Sequence, residues 1–325
     1  MPQSASGDPR WNELISTAFQ LKGTEFARCF GPGPSCNQPP IRAHSVQNAR
    51  ALDLLAHNGH VIAPTHRMHI QRGIEVDLSE VGRNKATTFA GLCESHDREL
   101  FSAIETQPID VANEEQLFLF SYRATIYELH ATCAAGWLLQ MGYQKRVELG
   151  LDPKNEPSPA GLRATERLIV AYQTYLYKAR FDEAYTSSGF GAVTHDVLTL
   201  DVPAPTIAAS SLFSLDQLVN REGDVVRVAL TILPLDPRRT AAIFSYLPHD
   251  ATLARAHLSR VLASSGDHQK YEISSHLLNH CSNFVLSPAY VETWTAEKRA
   301  LVTNYFTATI LQDNLDFEHK DLVLF

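Results

Sequence analysis

Thr87–Phe101, TTFAGLCESHDRELF, sets Cys93 and His96 three residues apart, with Asp97 directly after, where a helical pattern running to about Glu105 begins. Two side chains in a C-x₂-H spacing at a helix start project from adjacent positions on one turn, and the helix N-terminus favours the thiolate. Such a pair is half of a tetrahedral metal site. The other half is sought upstream, where RCFGPGPSCNQPP is too rich in glycine and proline for regular structure. Cys29 and Cys36 flank its tight turn. Six residues separate them, against the usual two to four. The four residues Cys29, Cys36, Cys93 and His96 together predict structural zinc; the alternative is unrelated thiols and a surface histidine.

Composition narrows the classes. The chain has 325 residues, 44% of them hydrophobic, so it can bury a full core. Its five cysteines are an odd number and fit reduced thiols better than a disulfide framework. Cys133 and Cys281 lie inside apolar helical patterns and read as packed side chains. A formal charge of −8 argues against indiscriminate coating of nucleic acid but leaves room for one local basic cleft. No stretch has the length and apolarity of a membrane span. MPQSASGDPRWNEL lacks the basic-then-apolar order of a signal peptide, so a cytoplasmic location is expected.

The periodicities predict an α+β chain. An N-terminal zinc-braced ββα module occupies 1–110, long helices fill 111–186, and an antiparallel sheet with helices follows in 187–325. Asp8-Pro9 opens a first helix to about Leu21, and Val46–His57 reads as a second with Leu52 and Leu55 inward. His60–Thr88 reads as short strands or extended loop, IEVDLSEV alternating with period two. Long helices are expected over Asn113–Gly150 and Leu162–Tyr185, the linker GLDPKNEPSPAG between them. GAVTHDVLTL, VVRVALTIL and TAAIFSYL read as strands, followed by helices near Thr252–Ser264, Gln269–Cys281 and Thr295–Thr309.

The order of a cysteine pair, a histidine in RAHS, and a ligand pair opening a helix resembles the HNH, or ββα-metal, nucleases, in particular those braced by a treble-clef zinc. The likeness covers about Arg28 to Glu105, and bacterial proteins with similar RAHS, GHV and CxxHD segments share it. The resemblance implies an endonuclease acting on DNA or RNA, with a role in bacterial defence. His44 would be the general base, and Asp97 would replace the family's metal-binding histidine, holding catalytic Mg²⁺ or Mn²⁺. Asn48, or Asn84, would orient the water. Arg42 and Arg50 would face the phosphate. Ala43 stands where the family has a metal-binding aspartate or histidine, and the stretch from His44 to Cys93 implies an insertion. Further ligands are sought among His60, His66, His69, Glu75 and Asp77. From Ile41 to Lys85 six basic residues meet four acidic ones, +2 in an acidic chain. The bland readings are a His44 that caps a helix or completes a zinc shell, and an Asp97 that is a first-turn acid.

Other signals are weaker. His276 and His280 stand at i, i+4 without the glutamate of H-E-x-x-H and read as a packed pair. His195-Asp196 lacks a nucleophile motif. The tyrosine-rich YQTYLYKARFDEAY reads as core or helix interface. Two functions remain: a metal-dependent nuclease, or a non-catalytic zinc-stabilised module binding a protein or small ligand. Partners compatible with these are nucleic acid, another protein or a second copy of the chain, and not a membrane.

Overall fold

Proline at a first helical position loses no hydrogen bond, and α1 (Pro9–Lys22) starts in that way, with Asp8 Oδ1 accepting the N–H of Arg10 at 3.0 Å. The computed structural model describes residues 8–22, 24–33, 35–69, 73–312 and 322–325. After the glycine- and proline-rich turn come β1 (Pro40–His44), a single π-turn (Asn48–Leu52) and α2 (Asp53–Leu55). The helix expected over Val46–His57 is therefore shorter. Gln47 is held in a non-helical conformation (ψ 118°), its side-chain amide donating to the Ile104 carbonyl, and Ala56 is extended at the other end. Leu52 and Leu55 still point inward.

β2 (His60–His69) and β3 (Gly73–Gly82) form a ten-residue antiparallel hairpin, with His60 opposite Gly82. β4 (Thr88–Cys93) then returns to pair antiparallel with β1, His44 opposite Thr88 and Pro40 opposite Cys93. Cys93 is the N-cap of α3 (Glu94–Thr106), which buries Leu100, Phe101 and Ile104. Burial of side chains this size contributes about 1.5–3 kcal/mol each.

α4 (Glu114–Glu148) begins where the Asn113 side chain accepts the N–H of Gln116, and α5 (Pro159–Thr186) where Ser158 accepts that of Gly161. Each cap satisfies one orphan donor, worth about 1 kcal/mol. The helices pack as an antiparallel hairpin: Tyr122 stacks on Phe181, and Gly136 lies against Leu168. Of the tyrosines on α5, Tyr177 is buried, whereas Tyr172 and Tyr175 are exposed.

The remaining elements are β5 (Thr194–Asp201), β6 (Ile207–Val219), β7 (Val225–Asp236), β8 (Arg239–Tyr246), α6 (Ala251–His257), α7 (Ser259–Ala263), α8 (Gly266–His280), β9 (Phe284–Leu286), α9 (Pro288–Val291) and α10 (Ala296–Gln312). Seven strands make one antiparallel sheet in the order β3-β2-β9-β6-β7-β8-β5. The β2–β3 hairpin thus extends the sheet built by residues 194–286, joined through Ile62 opposite Leu286. Period-two alternation sorts the two faces. Ala229 and Leu233 face α4 and the N-terminal elements, while Val228, Leu230 and Ile232 face Leu258, Ile273 and Leu277. β6 was not legible as a strand. IAASSLFSL is buried on both sides and so lacks the polar–apolar alternation.

Candidate functional site

The turn after Cys29 is fastened to β4 by its backbone: Arg28 N–H donates to the Ala90 carbonyl at 3.1 Å and Phe30 N–H to that of Gly91 at 2.8 Å. This places Cys29 beside the end of β4, where Cys93 N–H donates to Cys29 Sγ at 3.3 Å. Cys36 comes back over the same point. Cys29, Cys36, Cys93 and His96 have ligand atoms all within 4.8 Å of one another, a cluster that can hold a metal ion. A tetrahedral ion with bonds of about 2.3 Å to sulfur and about 2.05 Å to nitrogen spaces sulfurs about 3.8 Å apart and sulfur–nitrogen pairs about 3.6 Å apart. Cys36 Sγ and Cys93 Sγ are 3.8 Å apart, and His96 Nδ1 lies 3.4 Å from Cys93 Sγ and 3.2 Å from Cys29 Sγ. The donor set, three sulfurs and one imidazole nitrogen, is consistent with zinc.

Burial pushes the Cys29 thiol up to about 11. Burial also raises Cys93, but the backbone N–H groups of His96 and Ser95 at the helix start, with the neighbouring thiols, outweigh it and leave this thiol below its ordinary range. The turn needs glycine at one place. A Cβ on Gly31 would lie 2.3 Å from the Cγ and Nδ1 of His96. Gly31→Ala is therefore expected to push His96 out of the cluster and to lower metal affinity by about 10-fold or more, measured by competition against a chromophoric chelator.

Next to the cluster lies a second group of polar side chains. His44 ends β1, and Asp97 stands on the first turn of α3. His44 Nε2 is 3.3 Å from the Arg83 carbonyl oxygen. A carbonyl only accepts, so Nε2 carries the proton and Nδ1 keeps the lone pair. Burial lowers the His44 pKa, opposed by the Arg83 carbonyl. Burial raises Asp97, opposed by the charge of Arg123. His44 and Asp97 each stabilise the charged form of the other, so the two lie within electrostatic reach. Asp97 Oδ1 is buried with no hydrogen-bond partner among the described residues.

Behind them Arg123, 2% exposed, donates to Glu105 Oε1 at 2.6 Å and lies 4.0 Å over the Phe101 ring. Glu105 and Arg123 were missed in the sequence. Their signal was a lone arginine in the apolar run FLFSYRATIYEL. The turn at 83–87 closes the other side. Asn84 Oδ1 accepts from Asn48 Nδ2 at 3.0 Å, and the Thr87 carbonyl accepts both the N–H and the hydroxyl of Ser45 at 2.9 Å. Thr87 pays for this with φ of +58°, rare for a β-branched residue.

Asn48 and Asn84 are thus brought together, and Arg83, through its carbonyl, touches His44. Arg42 is exposed and paired with Glu25 at 3.2 Å; Arg50 donates to the Thr106 carbonyl at 3.3 Å. His60, His66, His69, Glu75 and Asp77 belong to the β2–β3 hairpin. The side chain of His69 lies outside the described residues; none of the other four joins Asp97 in a cluster of three metal donors among the described residues. Elsewhere, His195 Nδ1 is 2.8 Å from Ser245 Oγ, and His276 and His280 pack ring to ring at 6.1 Å. Cys281 is buried and Cys133 partly so. No described helix is long and apolar enough to cross a membrane. No protein-family model matches the chain, and neither the curated proteins nor the solved structures contain a match.

Proposed function

We propose that residues 28–106 form a zinc-braced, HNH-like nuclease module in which His44 takes a proton from water for attack on a phosphodiester. The observation that carries this reading is the hydrogen bond from His44 Nε2 to the Arg83 carbonyl. It fixes the tautomer with Nδ1 as the base, and burial keeps the ring neutral. Zinc at Cys29, Cys36, Cys93 and His96 ties β4 to the start of α3, and so sets Asp97 against His44. Asp97, with its unpartnered carboxylate oxygen, is the residue that would hold Mg²⁺ or Mn²⁺. Such an ion supplies charge neutralisation at the phosphate. Asn48, whose Oδ1 is buried and unpartnered, accepts from and thereby orients the water. The charge of Arg123 favours the Asp97 carboxylate, and Glu105, the ion-pair partner of Arg123, opposes it.

A second reading is favoured by one residue. Ala43 is 2% exposed and turned into the core, where it offers no donor. In that reading the zinc only folds the N-terminal part, and the protein is a binding module. Cleavage assays separate the two. The intact chain, with Mg²⁺ or Mn²⁺, is expected to cut at least one of supercoiled DNA, single-stranded DNA or structured RNA. Its leaving all of them intact in both metals establishes the binding module instead.

A further inference from the structure

Three cations are buried among the described residues: Arg123, Lys178 and Arg227. Two have a carboxylate, Arg123 with Glu105 at 2.6 Å and Lys178 with Asp182 at 2.7 Å. Arg227, 5% exposed, has no carboxylate in direct contact among the described residues; Asp224, Asp216, Asp250 and Glu128 act on it from longer range. Its partners are the Val225 carbonyl at 3.5 Å and the Tyr177 ring at 5.5 Å. A buried guanidinium without a direct ion-pair partner is costly to desolvate, and its hydrogen-bonding fork is left with only one weak carbonyl contact, so it can take up an anion.

Arg227 lines a cavity of about 1170 Å³. The cavity exists because β9 is short. It pairs with β6 only from Ile207 to Ala209, and beyond that β6 has no strand on this side among the described residues. The space runs along residues 211–218 between the α4–α5 hairpin and α8. Arg227 sits opposite Ser214 in the β6–β7 register. Further along, the rings of Phe213 and His280 stack at 4.5 Å, and Asn279 and Ser275 add hydrogen-bonding groups to the wall. A bare inorganic ion would leave most of this volume and these groups unused, since sites for drug-sized ligands span about 300–1,000 Å³.

We propose that this cavity is the binding site of a small organic anion, whose phosphate or carboxylate is held by Arg227. The guanidinium fork matches either group in two parallel hydrogen bonds. The body of the ligand lies along the open edge of β6 toward Phe213 and His280. The site is independent of the nuclease reading, which uses none of these residues.

The test has a liganded and an unliganded arm, both on the full chain. Calorimetric titrations with AMP, ATP, citrate, glutamate and inorganic phosphate distinguish phosphate from carboxylate sources. At least one organic anion is expected to bind more tightly than inorganic phosphate, and Arg227→Met to weaken it by about tenfold or more. Arg227→Lys, which keeps the charge but loses the fork, falls between. Without ligand, Arg227→Met is expected to leave the melting temperature close to native, because Arg227 makes no direct ion pair and its carboxylates act on it only from longer range. A fall of several degrees would make Arg227 structural and overturn the proposal. So would the absence of binding by every organic anion in the set.

Discussion

Cys93→Ser is expected to empty the cluster of metal and melt the module around it. Cys93 holds three positions at once: last residue of β4, N-cap of α3, and neighbour of both other thiols. A serine oxygen at that point keeps the cap but is a poor ligand for zinc, and without the metal the turn around Gly31 keeps only the two backbone bonds of Arg28 and Phe30 to β4. Structural zinc contributes about 10–16 kcal/mol to isolated finger peptides. Here Leu92, Phe101 and Ile104 also bury against α4 and the main sheet. A loss on the order of 5 kcal/mol is therefore expected. Elemental analysis should give one zinc per chain in the native protein and none in the variant, with a lower melting temperature. Cys133→Ser, outside the cluster, is the control and should retain the metal. A native protein without zinc would remove the basis for the whole arrangement.

His44→Ala is expected to abolish cleavage while leaving zinc content and melting behaviour close to native. A general base contributes about 10²–10⁴-fold to rate, and His44 is not one of the four clustered residues. Its hydrogen bond is to the Arg83 carbonyl, on the turn rather than in the cluster. The two variants thus separate fold from turnover: one loses metal and structure, the other only activity. Burial lowers the His44 pKa, so the free-base form persists to more acid conditions than for an ordinary histidine. The acid limb of kcat/KM is accordingly expected below the usual imidazole range and should vanish with His44→Ala. Zinc release or unfolding in His44→Ala would make this histidine structural and leave the nuclease reading without its base.

Several of these residues were legible in the sequence because their signals are local. CESHD at a helix start carries its own geometry, since three residues on one turn must project together. FGPGPS carries its own turn, and an extended IEVDLSEV carries its own alternation. That was enough for the four residues of the cluster, the α3 boundary, most of the helices and the α+β class. His44 was picked by its place between the ligand pairs. Its tautomer and its nearness to Asp97 came only with the return of β4 beside β1, past the two intervening strands β2 and β3. β6, buried on both faces, erased its own pattern. Glu105 and Arg123 belong to different helices, and only the packing of α3 on α4 makes one the counter-ion of the other. Arg227 reads in the sequence as one more charge in a strand. The cavity beside it depends on where β9 stops, because pairing across a sheet is decided by contacts between residues dozens of positions apart.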